Sequence, residues 1–104
     1  MIFSTSEIIG RDPVIFTVPG DRYSIKIAVQ ILNQLEQDPD CKIYDDSWNS
    51  SYGNLIENGI TVRLGTIKFE IMCSYEHLFL RRISGNKGKF YRFCESIKDM
   101  DFDR

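Results

Sequence analysis

The groups in this 104-residue chain that could do chemistry are few: one histidine, three cysteines and two runs of carboxylates. His77 opens the apolar stretch HLFLRRI, and Cys73 precedes it by four residues. A turn between them would let a thiol and an imidazole meet, the minimum for a cysteine nucleophile and its base. Such a thiol also needs surroundings that lower its pKa. Cys73 and Cys94 instead fall on apolar faces, where free cysteine behaves as a small hydrophobe, so buried, reduced thiols are expected. A single histidine excludes a two-histidine nuclease and a histidine-based metal site. Cys41, Cys73 and Cys94 are odd in number, widely spaced and form no CxxC, which argues against a disulfide framework or a zinc site. No GxSxG, GxGxxG or GxxxxGK[ST] occurs; Gly85-Asn86-Lys87-Gly88-Lys89 is too short for a phosphate loop and lacks its hydroxyl residue. Asp45-Asp46 and the series Asp99, Asp101, Asp103 offer paired carboxylates, yet the tail lacks the glycine and terminal glutamate of a calcium loop. The expectation is a protein that is not an enzyme, with no metal and no cofactor.

Charge is more informative than catalytic type. Residues 36 to 46 hold Glu36, Asp38, Asp40, Asp45 and Asp46 against Lys42 alone, and Tyr44, Trp48 and Tyr52 are interleaved or adjacent. Carboxylates around exposed aromatics have the makings of a protein-binding hot spot, the rings supplying buried area and the acids steering a basic partner. The competing reading is a tryptophan in the core beside ordinary surface charge. Residues 81 to 92 hold Arg81, Arg82, Lys87, Lys89 and Arg92 with Tyr91 and no acid, a combination that suits a nucleic-acid backbone and base stacking. A sequence pI of about 5.3 weighs against nucleic acid as the partner.

These groups must be positioned by a small α+β domain spanning residues 1–104. Its centre is the run 55–73, LIENGITVRLGTIKFEIMC. Asn58-Gly59 has the form of a type I′ hairpin turn and Gly65-Thr66 that of a Gly-first turn. Ile60, Val62 and Leu64 alternate with Thr61 and Arg63, then Ile67, Phe69, Ile71 and Cys73 with Lys68, Glu70 and Met72, so each apolar set shares one buried face. Cys41–Tyr44 and His77–Ile83 add strands. The expected fold is an antiparallel β-meander of four to five strands, packed against a long N-terminal helix and a shorter C-terminal helix. Asp21 caps the first helix, about 22–37, and Ile25, Ala28, Val29, Ile31, Leu32 and Leu35 form its stripe before Asp38-Pro39 stops it. Phe90, Phe93, Cys94 and Ile97 recur at helical spacing over about 89–100, with a strand as the alternative for Phe90–Cys94. Val14–Val18 reads as a strand closed by Pro19-Gly20, Ser6 to Gly10 as a single helical turn, and 45–54 as a loop or two strand ends.

Composition sets the class: 42% hydrophobic and 27% charged is ordinary for a globular domain, and no run approaches the roughly 20 apolar residues of a membrane helix. The opening MIFSTSEIIGRD has no basic start and no long apolar middle, so no secretory leader and no membrane contact are expected, and the cytoplasm is the expected compartment. With the acidic segment DPDCKIYDDSW, the meander NGITVRLGTIKFEI and this length, the chain resembles the immunity proteins that bacteria make against secreted or contact-delivered toxins, as in contact-dependent growth inhibition. The resemblance implies a tight, stoichiometric inhibitor, a monomer or weak homodimer, that covers the active site of a cognate toxin, often a basic nuclease. Asp38, Asp40, Tyr44, Asp45, Asp46, Trp48 and Tyr52 would meet the partner, with Asp99 and Asp101 as auxiliaries. A phage-encoded inhibitor of a host defence nuclease would use the same physics. A nucleic-acid-binding module would use Arg81, Arg82, Lys87, Lys89 and Arg92. The inhibitor reading asks that Trp48 be exposed and that Asp40, Asp45 and Asp46 share one side.

Overall fold

The computed structural model describes residues 13–18, 23–50 and 53–102. In chain order these form β1 (Val14–Thr17), α1 (Tyr23–Glu36), β2 (Cys41–Ile43), α2 (Gly53–Glu57), β3 (Ile60–Leu64), β4 (Ile67–Ser74), β5 (His77–Ser84) and α3 (Lys87–Lys98). The strands make a five-stranded sheet of order β1-β5-β4-β3-β2, every neighbouring pair antiparallel. The class is therefore α+β, as the alternating pattern implied.

The central strands follow directly from local sequence. Ile60, Val62, Ile67, Phe69, Ile71 and Cys73 are all buried, and the residues between them are half-exposed. Gly65-Thr66 joins β3 to β4 with Gly65 at φ +59°, the Gly-first turn that places Leu64 opposite Ile67. Tyr75-Glu76 joins β4 to β5, and there a tyrosine takes the positive φ, +51°.

Two expectations about the helices are corrected. The long helix is not N-terminal within the fold: β1 precedes it and lies at the sheet edge beside β5, and at 14 residues α1 is only slightly longer than the 12 of α3. The reason is topological. β1 and β2 occupy opposite edges, so the segment between them must cross the sheet. Fourteen residues at 1.5 Å rise span about 21 Å, matching the roughly 19 Å width of five strands. The second correction concerns Asn58-Gly59, which ends α2 rather than turning a hairpin. The N–H groups of Asn58 and Gly59 both close onto the Asn54 carbonyl, and Gly59 sits at φ +78°. A helix C-terminus and a tight hairpin both want glycine at positive φ, so the dipeptide serves either. A Cβ at Gly59 would also lie 2.7 Å from the Glu70 side chain. Of the segment 45–54, residues 46–50 are turns and 53–54 open α2, so its described residues form no strand end.

The three helices feed one core. Ile27, Ala28, Ile31, Leu32 and Leu35 of α1, Leu55 of α2, and Phe90, Cys94 and Ile97 of α3 are buried with the inward residues of the sheet. Each fully buried aliphatic or aromatic side chain contributes roughly 1.5–3 kcal/mol. Phe69 is the anchor for α3, with ring centroids 6.0 Å from Phe90 and 5.0 Å from Phe93. Asn86 caps that helix by accepting from the Lys89 N–H at 3.0 Å, so 87–98 is helix and the strand alternative falls. Ser24, buried at the start of α1, donates to the Tyr75 carbonyl and ties the helix to the β4–β5 turn. The expected turn at Ser6–Gly10, the Pro19-Gly20 turn and the Asp21 cap lie outside the described residues. Among those residues no helix is long and apolar enough to cross a membrane.

Candidate functional site

The one thiol–imidazole pair suggested by spacing is not assembled. Cys73 faces the core and Leu78 opposes it across the β4–β5 ladder, whereas His77 opposes Ser74 at the exposed start of β5. The strand pleat puts the two groups on opposite faces of the sheet. Burial pushes the Cys73 thiol up to about 11, an effect the Ser24 hydroxyl partly offsets, so the group holds its proton. His77 packs its ring against Phe79 at 6.0 Å. Among the described residues no three of His, Cys, Asp and Glu gather as metal ligands do.

The acidic segment, by contrast, is brought together. Glu36 ends α1, Asp38 and Asp40 occupy the turn into β2, and Asp45 and Asp46 follow β2. A cleft of about 300 Å³ lies between these pieces, lined by Glu36, Asp45 and Asp46 together with Lys42, Cys41, Ile43 and Trp48. None of the five carboxylates forms an ion pair with a described residue. Two of them build the local backbone. Asp38 accepts from the Asp40 N–H at 2.8 Å. Asp45 accepts from Asn54 at 2.9 Å through one oxygen, and from the Ser47 N–H and hydroxyl at 3.0 Å through the other. These bonds, Asn54 foremost, hold the Asp45 carboxyl below its ordinary value and keep it charged. Cys41, beside this cleft, is shifted upward by burial and by Asp38, with Arg63 opposing.

The aromatic half of the expected site is corrected. Trp48 is 3% exposed and belongs to the core cluster. The turns fixed by Asp45 point Trp48 inward while Asp46, Ser47, Asn49 and Ser50 stay exposed, so the indole joins the core instead of meeting a partner. Tyr44 keeps its expected exposure, at 46%, with the ammonium groups of Lys42 and Lys68 5.0 and 4.9 Å from its ring centroid. Tyr52 and Asp103 lie outside the described residues. Asp99 is the C-cap of α3 and Asp101 an exposed residue beyond it, and no hydrogen bond or ion pair joins either to the 36–46 group.

The basic run 81–92 is dispersed. Alternation along β5 splits its two arginines. Arg81 pairs with Glu70 at 3.5 Å across the ladder, on the side away from the helices. Arg82 opposes the inward Phe69 and donates to the Gly85 carbonyl at 2.9 Å. Lys87, Lys89 and Arg92 ride on the first turns of α3, with the Lys89 ammonium 3.4 Å from the Thr66 hydroxyl. What sequence order concealed is a different basic group. Lys42, Arg63 and Lys68 occupy directly paired positions on β2, β3 and β4. Half of this was readable, because a two-residue Gly65-Thr66 turn forces Arg63 opposite Lys68. Lys42 joins them only through the register of β2. Comparison with protein-family models, with curated proteins and with solved structures found no match for this chain.

Proposed function

We propose that this chain is a stoichiometric inhibitor of the immunity type, which binds a basic toxin domain, in the first instance a nuclease, through the edge formed by the end of α1, β2 and the turn after it. The observation that supports this reading is the placing of Glu36, Asp45 and Asp46 around one cleft, with Asp38 and Asp40 in the turn at the other end of β2, and none of the five with an ion-pair partner among the described residues. Unpaired carboxylates on adjoining turns sum to a negative field that accelerates encounter with a basic surface and opposes acidic competitors. In the complex they would stand where substrate phosphates stand in the toxin's cleft. Asp46, exposed and without a hydrogen bond to a described residue, is the most available contact. Asp45 contributes charge while holding the loop, and Trp48 contributes rigidity from beneath.

The test is co-expression with the products of neighbouring reading frames, followed by a nuclease assay on any basic protein retained. The expected result is 1:1 suppression of nuclease activity that weakens at high salt. Asp40→Lys with Asp46→Lys should abolish suppression while leaving the thermal midpoint unchanged. Undiminished suppression by the charge-reversed variant would remove the acidic edge from the mechanism.

A further inference from the structure

The sheet has a second side, and no described helix packs on it: every buried apolar helix residue belongs to the core cluster on the other face. Its outward residues include Lys42 on β2, Thr61 and Arg63 on β3, Lys68, Glu70 and Met72 on β4, Phe79 and Arg81 on β5, and Ile15 on β1. Four cations, Lys42, Arg63, Lys68 and Arg81, thus face one carboxylate, Glu70, and Arg81 already engages it at 3.5 Å. The chain as a whole has a net charge of −2, so this face is strongly segregated from the rest.

Lys42, Arg63 and Lys68 are consecutive cross-strand neighbours. Such pairs set Cβ atoms about 5 Å apart, where like charges repel. The fold keeps the three together without any ion pair to a described residue. The row is also held in place. Arg63 Nη1 donates to the carbonyls of Asp40 at 3.3 Å and Gly65 at 3.0 Å. The two lysines converge on the half-exposed Tyr44 ring. Farther along the same face, beyond Thr61, Glu70 and Arg81, Ile15, Phe79 and Met72 form a cross-strand strip of partly exposed apolar and aromatic surface.

We infer that this face binds single-stranded nucleic acid, with Lys42, Arg63 and Lys68 on the phosphates and Tyr44 and Phe79 as stacking rings. Charge complementarity names a polyanion as the occupant. Rings set among the cations select unpaired bases, because a duplex keeps its bases stacked on one another. The inference shares β2 with the acidic edge, where Lys42 also lines the cleft, but requires no toxin partner.

The experiment is fluorescence anisotropy with a labelled single strand of ~15 nucleotides, with a duplex of the same sequence and heparin as competitors. Three phosphate contacts predict a slope of log K against log salt of about −2, which is roughly a twentyfold loss between 50 and 200 mM. Lys42→Gln with Lys68→Gln should reduce the slope to about −0.7, and Tyr44→Leu should lose roughly tenfold at constant slope. Lys87→Gln with Lys89→Gln, on α3, should change neither. The inference is overturned by no binding at low salt, by a loss confined to the α3 variant, or by a duplex or heparin competing as well as the single strand.

Discussion

Replacing Trp48 separates a core tryptophan from an interface tryptophan, because the two placements predict opposite observables. The side chain is 3% exposed and packed in the main cluster, so Trp48→Ala removes a large buried volume that the surroundings refill only in part. Truncations of this kind cost about 3–5 kcal/mol. A chain of this size has an unfolding entropy near 0.2 kcal/mol/K, so the midpoint should fall by about 15–25 °C. Total stability of small domains is only about 5–15 kcal/mol, which makes partial unfolding at room temperature a realistic outcome for the variant. Circular dichroism melts of wild type, Trp48→Phe and Trp48→Ala measure this, with the phenylalanine variant falling between the other two. Because Trp48 is the sole tryptophan, its fluorescence gives a second readout in the unmodified protein. Emission should be blue-shifted, resistant to acrylamide, and lost cooperatively with the helical signal. A midpoint shift of only a few degrees, or a readily quenched, red-shifted emission, would refute the buried placement and return Trp48 to the binding surface.

The glycines provide a graded test of the turns. Gly65→Ala meets only the conformational cost of φ +59° in open space, about 1 kcal/mol, whereas Gly85→Ala at φ +96° would also set its Cβ 2.5 Å from the Thr66 carbonyl oxygen and should cost several times more in urea melts. Equal costs would contradict the close approach of the two turns. Tyr75→Gly should raise stability by up to about 1 kcal/mol, since the tyrosine is 78% exposed and holds φ +51° that glycine adopts freely; a loss of stability would show that the ring packs against something. Finally, the Cys73 thiol holds its proton up to about pH 11 when folded, while an ordinary thiol releases it near 9. Between those values the unfolded chain binds fewer protons, so stability falls as pH rises, by up to about 1.4 kcal/mol per unit. Cys73→Ala should remove that part of the alkaline slope, and an unchanged slope in the variant would assign it to other groups.

The strands of the meander were readable residue by residue. Side-chain direction in a strand depends only on the pleat, so Ile60, Val62, Leu64, Ile67, Phe69, Ile71 and Cys73 could be placed on one face from their spacing, and all are buried except Leu64, which is half-buried at the end of β3. The stripe of α1 was equally local, although Ile27 enters the core and Ile25 and Val29 stay at its margin. The same alternation separates Arg81 from Arg82, a division implicit in the period-two pattern that a count of charges along the chain overlooks. Asn58-Gly59 marks the limit of local reading, since its backbone geometry suits a hairpin and a helix end alike. Trp48 marks another: nothing in Asp45–Asn54 says which way the loop folds until Asp45 has bonded Ser47 and Asn54. Spacing along the chain therefore settles which way each side chain of a regular element points. Which charges become neighbours is settled by strand register and loop path, because Lys42, Arg63 and Lys68 meet only after 20 and then 4 residues of intervening chain have been folded back on the sheet.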